Sequence, residues 1–177
     1  MNKKLKLWEL DRKSPENFRA QQKFPIVVIL DDIRSLNNVG SFFRTADAFN
    51  VTKIILGGIT ACPPHKDIRK TALGATETVD WSHSENLLEE IKVLQNAGYT
   101  VGSIEQTEKT TLLQDVAAFE AKPYALIFGN EVNGVRQELV DASDCVIEIP
   151  QFGTKHSFNV SVCAGIVLWV FCKMFID

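Results

Sequence analysis

The feature that most constrains this chain is the alternation, from residue 25 onward, of short apolar runs with segments of helical length. Runs of strand length lie at residues 25–30, 53–56, 78–81, 99–104, 124–128 and 145–149. Between them, residues 39–49, 66–73, 85–96 and 135–140 have helical length and patterning, and an apolar helix over 160–176 closes the chain. Strands that alternate with helices pair in parallel, because each helix carries the chain back across the sheet. The expected fold class is α/β, a single domain with a mainly parallel sheet flanked by helices, and 177 residues suit one such domain. Pro25 opens the first strand, where a missing N–H costs little, and Asp31 and Asp32 end it. Asn37 or Asn38 is the expected N-cap of the next helix. In open parallel sheets ligands bind beyond the carboxyl ends of the strands, and polar residues of this chain collect there.

Charge divides the sequence. Lys3, Lys4, Lys6, Arg12, Lys13, Arg19 and Lys23 stand against Glu9, Asp11 and Glu16, a local excess of four, so the rest must carry −7 to give the net −3. Residues 1–24 read as a basic N-terminal arm and 25–177 as the domain. Such an arm suits a phosphate backbone, and a solvated terminus has the same composition. Cys62, Cys145, Cys163 and Cys172 are widely spaced and mostly lie in apolar runs, where Cys acts as a small hydrophobe. No disulfide framework or metal ligand set is visible. The first residues lack the apolar core of a secretory signal, so a cytoplasmic location is expected. The apolar stretch 160–176 falls short of the roughly 20 residues of a membrane span, and Ser161 and Lys173 sit near its ends. It reads as a helix buried in the core or at a subunit interface, with no membrane partner.

Three polar segments follow the strands. The first, Asn38-Val39-Gly40-Ser41-Phe42-Phe43-Arg44-Thr45-Ala46, places Asn37 or Asn38, Ser41 and Arg44 close to one helical face. A capped surface helix with a solvated Arg would look the same, and the glycines of a dinucleotide loop are missing. The second, Phe128-Gly129-Asn130-Glu131-Val132-Asn133-Gly134, combines glycines that permit close backbone approach with a carboxylate that accepts hydrogen bonds. A strand-to-helix turn with Glu131 near a helix N-terminus is the plainer account. The third, residues 149–161, delivers Ser157, Asn159 and Ser161 to the start of the last helix. Three polar side chains exceed what one cap requires.

In this order and spacing the segments resemble the motifs of the SpoU, or TrmH-like, RNA 2′-O-ribose methyltransferases of the SPOUT superfamily. The family forms are N-x-G-x-x-x-R-T-A, F-G-N-E-x-x-G and I-P-M-x-G-x-x-x-S-L-N-V-S, and the similarity runs from about Pro25 to the C-terminus. The resemblance implies a C-terminal trefoil knot, S-adenosylmethionine as cofactor, and methyl transfer to a ribose 2′-hydroxyl of tRNA or rRNA. It implies Asn38, Arg44, Glu131, Ser157 and Asn159 as catalytic residues. Ile104, Glu105, Gln106, Gly129, Ile149, Ser157 and Phe158 would hold the cofactor. Gln151 stands where the family usually has Met, and Phe158 where it has Leu. Many relatives carry a separate N-terminal RNA-binding domain, in whose place only the short arm is expected here.

Arg44 admits two roles, the general base assigned in the family or a cation that clamps phosphate and the developing alkoxide. A guanidinium with pKa above about 12 is a poor base. Arg34, Arg44, Lys66, Arg69, Lys70, Arg136 and Lys155, with His156, are candidate RNA-phosphate contacts, and a solvated helix face is the alternative for the run 66–70. His156 beside Ser157 does not read as a hydrolase pair, since neighbours rarely face each other and no orienting acid is evident. A homodimer through the C-terminal helix is expected, because Trp169, Phe171, Phe175 and Ile176 would leave an apolar patch on a helix that is apolar nearly all round. The competing function is a non-catalytic RNA-binding or assembly protein that retains the fold.

Overall fold

The computed structural model describes residues 2–10, 12–118 and 120–176. Met1 and Asp177, the outer limits of the expected arm and domain, lie outside the described residues, as do Asp11 of the arm and Phe119. The strands are β1 (Phe24–Asp31), β2 (Val51–Gly57), β3 (Trp81–Ser84), β4 (Thr100–Ile104), β5 (Thr111–Leu112), β6 (Tyr124–Phe128) and β7 (Cys145–Glu148). They form one sheet in the order β3-β2-β1-β6-β4-β7-β5, with every pairing parallel. The helices are α1 (Pro15–Ala20), α2 (Leu36–Ala48), α3 (Lys66–Ala72), α4 (Leu87–Asn96), α5 (Gln137–Ala142) and α6 (Val160–Cys172).

Side chains along a strand alternate between faces, and here both faces are covered. Ile26, Val28 and Leu30 of β1 pack with Phe42 and Phe43 of α2, Ile68 of α3, and Leu168 and Phe171 of α6. Val27 and Ile29 point the other way, into Leu87 and Ile91 of α4 and Leu139 of α5. Each such side chain, fully withdrawn from water, contributes about 1.5–3 kcal/mol. Burial on both sides is why these strands read as continuous apolar runs.

Two expectations change, and two further stretches hold elements beyond those expected. Ser35, not Asn37 or Asn38, caps α2, its hydroxyl accepting from the Asn38 N–H at 3.3 Å. With the cap supplied by Ser35, the Asn38 side chain in the first turn is left for other partners. The strand expected at 78–81 begins instead at Trp81, because residues 75–77 form a 3₁₀ turn after Gly74 and the Thr78 hydroxyl is held by Asp47 at 2.6 Å. The segment after β4 contains the two-residue β5 and a 3₁₀ turn over Leu113–Ala118, both too short to leave a periodic signal. The arm is partly folded. Its helix α1 is capped by Ser14 with Pro15 in the first turn, and Gln21 and Asn50 tie its end to the turn after α2.

The C-terminal helix buries more than its composition indicates. Phe171 is wholly buried, edge-on to Tyr124 at 4.8 Å, and Phe175 stacks on Phe24 at 5.7 Å, so neither belongs to the exposed patch expected of them. Val162, Trp169 and Ile176 are about half exposed. Among the described residues no helix is long and apolar enough to cross a membrane.

Candidate active site

The adjacent strands β1, β6, β4 and β7 bring their carboxyl ends together, and the loops leaving them enclose a cavity of about 580 Å³. That size suits a small-molecule ligand. Its walls are Ile104, Glu105 and Gln106 after β4, residues 128–134 after β6, residues 147–149 and 151 around the end of β7, and residues 156–160 with Cys163 at the start of α6. Every residue expected to hold a cofactor therefore lines one cavity: Ile104, Glu105, Gln106, Gly129, Ile149, Ser157 and Phe158.

The loop after β6 is fixed by its own residues first. Asn130 and Gly134 exchange backbone hydrogen bonds of 2.9 Å, while the Asn130 side-chain oxygen accepts from Val132 and Asn133 and its amide donates to the Asp32 carbonyl. Gly134 takes φ +69°, a region that L side chains rarely adopt. A methyl on Gly129 would sit 2.1 Å from backbone atoms of Gly134 and Val135, so only glycine lets the two ends of the turn meet.

Carboxylates then pin this loop from several directions. Glu105 accepts from the Val135 N–H at 2.9 Å and from its neighbour Gln106 at 2.8 Å. Asp31, wholly buried at the end of β1, accepts from the backbone N–H and Nε of Arg136, both at 2.8 Å. Glu131 reaches across to the start of α2 and accepts from the backbone N–H groups of Arg34 and Ser35 at 3.0 Å each. Negative charge is favoured there, at the positive end of the helix. Burial pushes the Glu131 carboxyl up, but these donors and the Asn38 amide together outweigh it and hold the group below the ordinary carboxylate value.

The three sequence motifs meet through side chains. Asn38 donates to Glu131 Oε1 at 2.9 Å, and Asn159 donates to Asn38 Oδ1 at 3.2 Å. Asn159 in turn caps α6, accepting from the Ser161 N–H and hydroxyl and from the Val162 N–H. Ser157 is exposed on the cavity wall.

Other expected residues stand elsewhere. Arg44 is exposed on α2, six residues or about 9 Å along the helix from Asn38, and does not line the cavity. Arg34 and Lys155 are exposed. Lys66, Arg69 and Lys70 line a separate depression. Arg136 is engaged within the fold: its guanidinium lies at 2.8 Å from Asp31, 3.9 Å from Asp32 and 3.0 Å from Glu138. Burial lowers its pKa, and the paired carboxylates more than reverse that, so the charge is fixed but neutralised within the fold.

Sequence reasoning missed two features. Cys163 lines the cavity one helical turn after Asn159, a spacing of four that could have revealed it. Burial, with Glu105 nearby, pushes its thiol up to about 12. Asp31 reads as a strand terminator, and nothing local announces a partner 105 positions away.

Comparison with known proteins places this geometry. The sequence profile of the family described as SpoU rRNA Methylase matches residues 25–169. The 23S rRNA (guanosine-2′-O-)-methyltransferase RlmB of Vibrio parahaemolyticus is 31% identical over 165 residues, covering 91% of this chain and 64% of that protein. The chain thus spans about three fifths of the length of the curated relatives it matches. Among solved structures, the A. aeolicus TrmH/SpoU tRNA modifying enzyme superposes with a TM-score of 0.78 at 26% identity, over 90% of this chain and 79% of its own. The AdoMet-bound rRNA methyltransferase of Sinorhizobium meliloti gives 0.79 at 27% identity, over 94% of this chain and 62% of its own.

Proposed function

The chain belongs to the SpoU rRNA methylase family, and from that premise we propose that it transfers a methyl group from S-adenosylmethionine to a ribose 2′-hydroxyl of structured RNA, tRNA or rRNA. The observation that carries the reading is the hydrogen-bonded series Glu131, Asn38, Asn159, which joins the three motifs at the rim of a cavity of about 580 Å³. The cavity suits the cofactor chemically. Ile104, Phe128, Ile149 and Phe158 offer apolar surface to an adenine, and Gln106, Gln151 and Ser157 offer polar contacts. Gln151 and Phe158 replace the usual Met and Leu without closing the cavity.

The bound cofactor supplies a methyl group already activated by its sulfonium. The chain's own work is then placement, holding the ribose oxygen in line with that methyl. Asn38, Ser157 and Asn159 orient the hydroxyl, and Glu131 fixes Asn38. Arg44 acts as a clamp: no carboxylate among the described residues pairs with it, and its free positive charge stabilises the forming alkoxide and the adjacent phosphate. The hydroxyl proton is released to solvent. The threading of the C-terminal segment into a trefoil knot is part of the same reading.

The proposal extends to a homodimer through the C-terminal helix. Val162 and Trp169, seven residues apart on one side of α6 and about half exposed, form an apolar stripe that a second copy of the chain would cover. Light scattering should give twice the 19.8 kDa chain mass, and Trp169→Glu should yield a species of single mass or aggregates.

Calorimetry with S-adenosylmethionine and a methyl-transfer assay on unmodified tRNA and rRNA test the proposal. Arg44→Ala should keep cofactor affinity and lose transfer. Failure of the folded protein to bind the cofactor would reject the site, and binding without transfer would leave a non-catalytic RNA-binding protein.

A further inference from the structure

A second depression, of about 420 Å³, is lined by Lys66, Arg69 and Lys70 of α3 with Gly74, Thr76 and Glu77 of the turn that follows. Among the described residues none of the three cations forms an ion pair. They stand at i, i+3 and i+4 of one short helix, where like charges repel. Arg69 and Lys70 at least suit the negative end of α3, whereas Lys66 in its first turn opposes the helix dipole. Lys66 is the unfavourable member of the three, and a polyanion would relieve the repulsion among them.

Two contacts tie the depression to its surroundings. On one side α3 presses against α2: a methyl on Gly40 would lie 2.3 Å from the Ile68 carbonyl, and the Thr71 hydroxyl donates to the Asn37 carbonyl at 3.0 Å. Arg44 is one turn beyond Gly40 on the same helix. On the other side Arg19 of α1 donates to the Glu77 carbonyl at 2.9 Å, which docks the arm against the depression's edge. Gln21 adds a bond to Asn50 at 2.6 Å. The N-terminal segment is therefore held at this edge through α1.

We propose that these cations form one phosphate track for the RNA backbone, running from Arg44 across Lys66, Arg69 and Lys70 to the docked N-terminal segment. The inference rests on the RNA methyltransferase reading, which supplies the polymer whose ribose must reach Arg44. The track makes the arm the outer wall of the RNA site. Exposed Trp8, with Lys6 at 5.0 Å from its ring, gives the N-terminal segment an aromatic surface on which an unpaired base can stack.

The test is fluorescence anisotropy of the full chain with a labelled RNA hairpin, titrated at salt from about 50 to 200 mM. Each neutralised phosphate contributes about 0.7–0.9 to the slope of log affinity against log salt. The combined variant Lys66→Gln, Arg69→Gln, Lys70→Gln should lose about 2–3 from that slope. Arg19→Gln, which removes the bond from α1 to the depression's edge, should also weaken binding. Lys92→Gln, Lys109→Gln, Lys122→Gln removes the same charge elsewhere and should leave the slope nearly unchanged. An unaltered slope in the first variant, an equal loss in the control, or no hairpin binding by the wild type overturns the track. Calorimetry on the same proteins keeps the two readings apart: cofactor binding with an unaltered slope rejects the track alone, and a lowered slope without cofactor binding rejects the methyltransferase alone.

Discussion

Replacing Asn38 by Asp tests the junction of the three motifs with almost no change of shape. Asn38 is 8% exposed, donates to Glu131 at 2.9 Å and accepts from Asn159 at 3.2 Å. The Asp side chain keeps the second bond and turns the first into an encounter of two carboxylates. A hydrogen bond to a charged group contributes about 1.5–3 kcal/mol. Two like charges near 4 Å add about 1 kcal/mol of repulsion when water screens them, the value appropriate to exposed Glu131. The expected loss is about 3 kcal/mol at pH 7.5, or roughly 6–12 °C in Tm for a chain of this length. The loss should depend on pH. In the wild type the Glu131 carboxyl lies below its ordinary value; in the variant the donor is gone and a like charge has arrived, so the upper pKa of the pair rises above the ordinary carboxylate value. A raised folded-state pKa confers stability below the unfolded value that is lost as pH rises through the folded one. The deficit relative to wild type should therefore shrink as pH falls toward 5. Asn38→Ala, which adds no charge, should show a deficit that is flat over the same range. Thermal melts of the three proteins at pH 7.5, 6 and 5 measure this. An Asp variant whose deficit is the same at every pH would refute the reasoning.

Gly129→Ala forces a methyl to 2.1 Å from the backbone of Gly134 and Val135; it should abolish cofactor binding in calorimetry and lower Tm by more than 5 °C, about 2 kcal/mol or more for this chain length, and an unchanged melt would contradict the tight turn. Arg136→Gln leaves buried Asp31 with only a backbone donor, and because the guanidinium is partly open to solvent the loss should be about 2–4 kcal/mol by denaturant unfolding, below that of a fully buried pair; a loss under about 1 kcal/mol would show that water replaces the pair. The Cys163 thiol, pushed up to about 12, should react with iodoacetamide at pH 7.5 far more slowly than a free thiol despite lining the cavity; rapid labelling, read by peptide mass, would place it in another environment.

Much of the fold was legible because its signals are local. The run around β1 announces a strand buried on both faces, and the strand-end polar residues mark where chemistry collects. Asn159 could be read as a cap from its place before an apolar helix, and it is one. What escaped lies between distant residues. Ser35 competes locally with Asn37 and Asn38 for the cap, but nothing near Asn38 reveals that its side chain turns to Glu131, 93 positions away. Arg136 looks like any surface cation until Asp31 is brought beneath it. Phe171 was misassigned for the same reason: an all-apolar helix carries no stripe, so only its tertiary neighbour Tyr124 decides which side is covered.

The distribution of the carboxylates bears on how such a site can work. Asp31, Glu105 and Glu131 come from the ends of β1, β4 and β6, and each accepts from two or three donors, mostly backbone N–H groups of neighbouring loops. A carboxylate so occupied would, on taking a substrate proton, lose the charge that strengthens its bonds to those donors. At Glu105 this would weaken the bond to Val135, and with it the hold on the turn through Gly134 whose tight approach shapes the cavity. At Glu131 it would loosen the start of α2 and the amide of Asn38. The acids of this site are therefore better suited to holding loops than to moving protons. Under the proposed function, rate enhancement would draw on the rigidity they impose, with the free charge of Arg44 placed outside the cavity, where the RNA and not the cofactor would meet it.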